Sequence, residues 1–368
     1  MNEWKTVRLG DYITEYSVKN KSNEDIPVYS VTNTQGFCTE YFSKDVSSKD
    51  KSNYKIVPRG CFAYNPSRIN VGSVDWQRYE DRVIVSPLYN VFKVSPELEN
   101  QYLYYFLKSD IGHTLITSKA EGSVRDNLKI TMLAEFSIPL PPLETQKLIA
   151  AQLDKCTALI AKHKQMLEKY DTLIKSRFIE MFGTDKDFSK WNCCCVEDVA
   201  DVTVGVVIKP TQYYCEKGIP AFRSLNIGEM KVNDSDWVYF TEEGNKKNKK
   251  SILKENDVLV VRSGAPGKSC VITKKYEGYN VVDAIIAHPN LEKVNPVFLC
   301  MFTNMPHGMN QIKAKTGGAA QQHFNVGGYN ALKMILPPLS LQNDFASFVQ
   351  QIDKSKFAVQ KALEKAET

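Results

Sequence analysis

The chain has 368 residues, 43% of them hydrophobic and 24% charged, with 47 Lys+Arg against 42 Asp+Glu for a net charge of +5. That is room for two or three domains at roughly 100–200 residues each, and the composition excludes a disordered chain, a collagen or a mucin-like stalk. The charge excess alone does not identify a nucleic-acid binder: residues 1–143 carry 17 basic and 17 acidic side chains and residues 183–339 carry 19 and 16, so any basic surface must come from arrangement.

No stretch approaches the roughly 18 consecutive apolar residues of a membrane span, and the opening MNEWKTVRLGDY lacks the apolar core of a secretory signal. A cytoplasmic protein without membrane contact is expected. Nine cysteines occur without a CxxC pair, and Cys193, Cys194 and Cys195 are consecutive. Neighbours in a strand point to opposite faces, so buried reduced thiols are expected and no metal site.

In chain order, DRVIVSPLYNVFKV (Asp81 to Val94) reads as strand and QYLYYFLKSDIGHTLI (Gln101 to Ile116) as helix. Next comes IPLPPLETQ, where Pro141-Pro142 must be extended. A long stretch free of Gly and Pro follows, a linker entering a helix. In it Ile149, Leu153, Cys156, Ile160, His163, Leu167, Tyr170 and Ile174 recur at alternating spacings of four and three, a heptad seam. His163 interrupts it as a polar residue that sets register. Further on, DVLVVRS (Asp257 to Ser263) reads as strand, ILPPLSLQ repeats the Pro-Pro-Leu-x-x-Gln pattern at Pro337, and a second helix follows. Phe345, Val349, Ile352, Val359 and Leu363 share one face of it, although a seam through Phe348 fits as well. Leu148, Leu159, Met166, Leu173 and Phe178 leave extra apolar surface on the first helix.

The two Pro-Pro segments lie 196 residues apart, and GSVRDNLKI (Gly122 to Ile130) matches GAAQQHFNV (Gly318 to Val326) at the same offset. A period this long is a duplicated domain rather than a solenoid. The expected fold is α+β: two mixed globular domains, residues 1–143 and 184–339, separated by two long coiled-coil helices, residues 144–183 and 340–368.

Three fragments invite enzymatic readings and fail them. GAPGKS (Gly264 to Ser269) lacks the first glycine of a phosphate loop, whose place is taken by Arg262, and is followed by the strand-like CVITKKY rather than a helix. AYNPSR (Ala63 to Arg68) has Ser67 and Arg68 where an amino-methyltransferase motif needs proline and an aromatic ring. The scattered His113, His288, His307 and His323 form no metal or acid–base constellation. No catalytic residue and no metal ligand is expected.

The IPLPPLETQ segment leading into a heptad helix that ends SRFIEMFG, together with ILPPLSLQNDFASFVQQIDKSKFAVQKALE, resembles the two conserved regions of the specificity subunits of type I restriction-modification enzymes. The resemblance covers the whole chain. It implies that each globular domain is a target recognition domain reading one half of a bipartite double-stranded DNA site. It further implies that the helices pack antiparallel, set the half-site spacing and dock two modification subunits, with two restriction subunits completing the complex. The chain itself then needs no cofactor: S-adenosylmethionine, ATP and Mg belong to the partners. A coiled-coil scaffold protein is the alternative.

Bases are read by Arg, Lys, Asn and Gln, and phosphates are gripped by Lys and Arg. Loop-placed candidates in the first domain are Asn33, Gln35, Asn65, Arg68, Asn70, Arg78 and Arg125. In the second they are Arg223, Asn226, Arg262, Lys268, Lys274, Lys275, Lys315, Gln321 and Gln322. The run KKNKK (Lys246 to Lys250) is either a phosphate-gripping loop or an exposed turn. Ile149, Leu153, Ile160, Leu167, Tyr170 and Ile174 are the candidates for pairing with the second helix or for partner contact.

Overall fold

The computed structural model describes residues 4–39, 50–120, 127–184, 187–316 and 323–367. They form two compact units, Met1–Ala161 and Lys162–Thr368.

In the first unit, strand Thr6–Arg8 pairs antiparallel with Ser137–Pro139. A four-stranded sheet runs in the order Ile13–Glu15, Asn90–Val94, Phe62–Tyr64, Val74–Trp76. Two small pairs, Ser30–Thr32 with Gly36–Cys38 and Lys55–Pro58 with Arg82–Val85, flank it. Helices α1 (Asn100–Lys108), α2 (Asp110–Ala120) and α3 (Ile130–Leu133) follow, then α4 (Leu143–Phe182). At 1.5 Å per residue, the 40 residues of α4 make a rod of about 60 Å.

The second unit repeats the plan. Strand Cys193–Cys195 pairs with Lys333–Ile335, and the main sheet runs Ala200–Val204, Ala284–Pro289, Val258–Val261, Ser269–Val271. A second sheet of Tyr214–Cys215, Val238–Phe240, Ile219–Phe222 and Asn280–Val281 is added. The helices are α5 (Glu242–Lys247), α6 (Pro296–Asn304), α7 (Pro306–Thr316), α8 (Val326–Asn330) and α9 (Leu339–Glu367). Strand alternation divides Val258–Val261 between two cores: Val258 and Val260 join the one built on α6 and α9, and Leu259 and Val261 join the other with Phe222 and Tyr276.

Two sequence expectations change in detail. The strand over Asp81–Val94 is two strands, broken at Ser86–Tyr89, with Arg82–Val85 leaving the main sheet for Lys55–Pro58. Pro87 at the break cannot donate to a ladder. The helix over Gln101–Ile116 is likewise two, α1 and α2. Ser109, in extended backbone, ends α1, and its Oγ accepts from Gly112 N at 3.2 Å to start α2. The turn needs glycine, because a Cβ on Gly112 would sit 2.1 Å from the Phe106 carbonyl; Gly308 meets Phe302 the same way at 2.4 Å in the second unit.

Within the second unit, α9 runs antiparallel to the C-terminal part of α4. Lys164 Nζ lies 2.9 Å from Glu367 and Lys356 Nζ 2.6 Å from Asp171. At the other end, Phe178 and Phe182 pack on Phe345. The register is the one through Phe345, Val349, Ile352, Val359 and Leu363, with Phe345, Val349 and Leu363 buried. On α4, Ile174 is buried and Ile160, Leu167 and Tyr170 are half-buried. Ile149 packs on the first unit's own core, and Leu153 is exposed. Phe178, expected as surplus surface, is fully buried among aromatic rings instead. His163 Nδ1 is buried without a hydrogen-bond partner among the described residues.

All nine cysteines are free thiols, but only Cys61, Cys270 and Cys300 are buried, which corrects the expectation of buried thiols throughout. Cys193 begins a three-residue strand and Cys156 lies on α4; both are exposed. KKNKK is neither a loop nor a simple turn: it ends α5 and enters a 3₁₀ turn, Lys249–Ser251.

Candidate nucleic-acid interface

One end of each main sheet gathers most of the candidates that fall among the described residues. In the first unit it is formed where Ile13–Glu15 and Phe62–Tyr64 finish and Asn90–Val94 starts; in the second, where Ala200–Val204 and Val258–Val261 finish and Ala284–Pro289 starts. The registers make Phe62 the counterpart of Val258 and Tyr64 that of Val260, so Arg262 follows the second strand where Pro66 follows the first: Gly60 N bonds the Gln77 carbonyl as Asn256 N bonds that of Ile272, and Asn65 N bonds the Ser73 carbonyl as Val261 N bonds that of Lys268. One link is shared: Leu128 N donates to the Pro66 carbonyl at 3.1 Å and Phe324 N to the Arg262 carbonyl at 3.0 Å, and a different side chain adds to it in each unit. Tyr64 OH donates to the Leu128 carbonyl at 3.0 Å and accepts from Asn90 Nδ2 at 3.0 Å. Arg262 Nε donates to the Phe324 carbonyl at 3.2 Å, and its Nη1 pairs with Asp283 Oδ1 at 3.0 Å. Leu128 and Phe324 are 196 residues apart in the matched segments. Each link therefore ties the end of a core strand to the segment following residues 121–126 or 317–322. Arg125, Gln321 and Gln322 fall in those two segments and lie outside the described residues.

Around Tyr64, the exposed Asn33 and Arg68 and the half-buried Asn65 line a groove of about 370 Å³. Gln35 is exposed on the same hairpin as Asn33, and the half-buried Asn70 sits in the 3₁₀ turn Ile69–Val71. The groove is braced by Lys108, which sequence reasoning missed. Its Nζ donates to the Asn33 carbonyl at 3.1 Å and to the Gly72 carbonyl. Burial lowers the Lys108 pKa, with Asp75 opposing. Spacing carries no signal for a helix-borne lysine that reaches two loops.

In the second unit, Ser263 Oγ bridges Asp283 Oδ2 at 3.1 Å and His323 Nδ1 at 2.8 Å, beside Arg262. Lys268 is exposed on the same loop and forms no ion pair among the described residues. Arg223 follows Phe222, which pairs with Val281 close by, and its guanidinium bonds Asp236 at 3.0 Å.

Other candidates are committed elsewhere. Arg78 neutralises the buried Asp75 and lies 4.5 Å over the Trp76 ring. Asp75 also accepts from Phe37 N at 3.1 Å and Trp76 N at 2.8 Å. Burial raises its pKa, against the pull of Arg78. Asn226 is fully buried, donating to the Asn233 and Ser235 carbonyls and accepting from Arg223 N, so it organises a loop rather than facing a ligand. Lys274 and Lys275 lie past the far end of Ser269–Val271, paired with Glu277 and Asp234. Lys315 donates to the Gly328 and Ala331 carbonyls, both at 3.1 Å, at the end of α8.

No group of three or more His, Cys, Asp or Glu that could hold a metal occurs among the described residues, and none of their helices is long and apolar enough to cross a membrane. Two like domains with polar, partly cationic strand ends, joined in sequence through a long helix, define a duplicated recognition protein. The chain matches the type I restriction modification DNA specificity domain over residues 1–169 and 189–367, and it belongs to that family. It is a specificity component of such a system: its part is the recognition of DNA sequence, without catalysis.

Relatives include the MjaVIII specificity subunit of Methanocaldococcus jannaschii, 23% identical over 99% of this chain and 91% of that one. The EcoBI specificity subunit of Escherichia coli is 23% identical over 65% of this chain, which spans about half (55%) of that longer protein. The fold is shared with the S subunit of the type I restriction-modification system from M. genitalium. That likeness has a TM-score of 0.58 at 13% identity and covers 99% of this chain and 93% of that one.

Proposed function

We propose that the chain recognises a bipartite double-stranded DNA site, one half-site per globular domain, through the strand ends that carry Tyr64 and Arg262. The observation that carries this reading is the duplicated link in which Leu128 N bonds the Pro66 carbonyl and Phe324 N bonds the Arg262 carbonyl. It gives both domains the same reading end, as the pseudo-two-fold symmetry of a duplex requires. In this reading Asn33, Gln35, Asn65, Arg68 and Asn70, with Arg125 on the adjoining segment, serve the first half-site. Arg223, Arg262, Lys268, Gln321 and Gln322 serve the second.

The helices α4 and α9 set the spacing between half-sites and dock two modification subunits, which methylate adenine at N6; two restriction subunits complete the complex. Leu148, Leu159, Leu173 and Ile179, all exposed on α4, supply apolar surface for that docking. S-adenosylmethionine, ATP and Mg belong to those partners, and the assembly works in the cytoplasm.

The test is co-expression with the cognate modification subunit and mapping of N6-methyladenine in host DNA. A split motif of two short half-sites with a fixed gap is expected, and exchange of residues 1–143 for another recognition domain changes one half-site only. Absence of new methylation beside an intact modification subunit overturns the proposal.

A further inference from the structure

Among the described residues, the two most exposed large apolar side chains are Ile208, at 80%, and Leu88, at 75%. Single exposed hydrophobes are ordinary on a protein surface. What sets these two apart is their place: each lies at the reading end of its own domain.

Leu88 sits in the turn entering strand Asn90–Val94 and lines the same groove as Asn33, Asn65 and Arg68, with exposed Val71 beside it. Ile208 sits in the loop leaving strand Ala200–Val204. That loop is fixed on both sides. Val206 N donates to the Val281 carbonyl at 2.7 Å, and the Val206 carbonyl accepts from N of Asp283, the partner of Arg262, at 3.2 Å. On the far side, Lys209 has φ +45° ahead of Pro210, and its carbonyl accepts from Gln212 N at 3.2 Å. Val207, also exposed, widens the apolar tip. The two domains thus each carry a strongly exposed aliphatic side chain at the reading end, from different loops.

The groove edges of a DNA duplex offer hydrogen-bond donors and acceptors, and a single apolar group, the C5-methyl of thymine. An aliphatic side chain held at 75–80% exposure at the reading end has that methyl as its complement. Resting on the proposed function, we infer that each half-site contains a thymine read through its methyl group, by Leu88 in the first domain and by Ile208 in the second.

The experiment uses the full chain assembled with its modification subunit and duplexes carrying the mapped site. Each thymine of each half-site is replaced in turn by deoxyuridine, which removes the methyl and keeps the pairing. One replacement per half-site is expected to weaken binding about fourfold, the equivalent of about 0.8 kcal/mol for one buried carbon. With Leu88→Ala, that loss disappears in the half-site read by the first domain and persists in the other; Ile208→Ala does the reverse. Leu291→Ala, an exposed residue beyond the opposite end of the second unit's sheet, keeps both losses. The inference is overturned if no deoxyuridine weakens binding, as a side chain wedged between base steps would predict, or if the losses survive both alanine variants. Failure of the recognition role itself is distinct, since no split site would then be mapped.

Discussion

Gln146 and Gln342, 196 residues apart, make the same three hydrogen bonds, and every partner is displaced by the same 196. Gln146 donates to the Pro141 and Glu97 carbonyls at 2.9 and 3.0 Å and accepts from Glu99 N at 2.8 Å. Gln342 donates to the Pro337 and Lys293 carbonyls at 2.8 and 3.4 Å and accepts from Asn295 N at 2.8 Å. Both side chains are fully buried. The glutamine of the Pro-Pro-Leu-x-x-Gln motif therefore locks the first turn of a long helix onto the loop that starts α1 or α6.

Replacing either glutamine leaves one buried carbonyl, one partly buried carbonyl and one partly buried N–H without this partner. Gln342→Ala is expected to cost about 2–3 kcal/mol, at the upper end for unsatisfied buried groups. Gln342→Glu should cost at least as much, because a carboxylate then faces two carbonyls. Urea unfolding measures the loss, and hydrogen exchange should confine it to the second unit. Unchanged stability in both variants would refute the lock.

The Asp75–Arg78 pair carries a pH dependence. Burial raises the folded-state pKa of Asp75, so the folded protein holds that proton more tightly than the unfolded chain. Its contribution to stability is therefore present below the unfolded pKa and is lost as pH rises through the raised folded value. Arg78 limits the rise. Arg78→Leu should raise the Asp75 pKa further and destabilise the protein by about 2–3 kcal/mol at pH 7, somewhat below the figure for a fully buried pair because Arg78 is partly exposed. At pH 4 the deficit should shrink, since a protonated Asp75 needs no counter-charge. A deficit equal at both pH values counts against this account.

Much of this architecture is legible in the sequence, for a physical reason. Pro141-Pro142 and Pro337-Pro338 fix extended backbone, and heptad spacing fixes a helix, so both signals are local. The offset of 196 also carries α1 onto α6, α2 onto α7 and strand Ser137–Pro139 onto Lys333–Ile335. What the sequence hides is decided between distant residues. Arg78 looks like any surface arginine until Asp75 is seen to be buried beside it. Ile149 keeps heptad spacing yet packs on the first unit's own core. Asn226 has the composition of a reading loop but is spent on Asn233 and Ser235. Tyr64 and Arg262 stand two places out of register, so the offset does not show that each braces the segment carrying Leu128 or Phe324.

Thiol reactivity should follow exposure. Cys300 is fully buried, and burial pushes its thiol up to about 12; Cys270 is raised by burial as well. In native protein at pH 8, Cys156 and Cys193 should alkylate first, and Cys61, Cys270 and Cys300 only on unfolding. Mass spectrometry of timed iodoacetamide labelling reads the order, and early labelling of Cys300 would contradict the packing around α6.

The helix pair is held by rings rather than ions. Phe345 meets Phe178 and Phe182 at 5.4 and 5.9 Å between centroids, and all three are buried. Phe345→Ala is expected to cost about 3–5 kcal/mol. Lys356→Ala, which breaks the exposed pair with Asp171, should cost under about 1 kcal/mol. Chemical denaturation of the two variants ranks them, and a larger loss from Lys356→Ala would reverse the assignment.

The lysines of the second unit separate by what they already hold. Lys268, Lys249 and Lys250 are exposed and form no ion pair among the described residues. Lys274, Lys275 and Lys315 are bound to Glu277, Asp234 and the end of α8. A lysine that grips phosphate releases about one counterion, so its removal lowers the slope of log affinity against log salt by about one. Lys268→Ala, at the reading end, is expected to show that change with the preferred site unaltered. Lys274→Ala and Lys275→Ala, at the far end of the sheet, should leave the slope where it was. Lys315→Ala should lower the melting temperature through the lost cap and leave the slope unchanged. If Lys274→Ala reduces the slope and Lys268→Ala does not, the DNA lies at the opposite end of the sheet, and the reading end assigned to Arg262 is wrong.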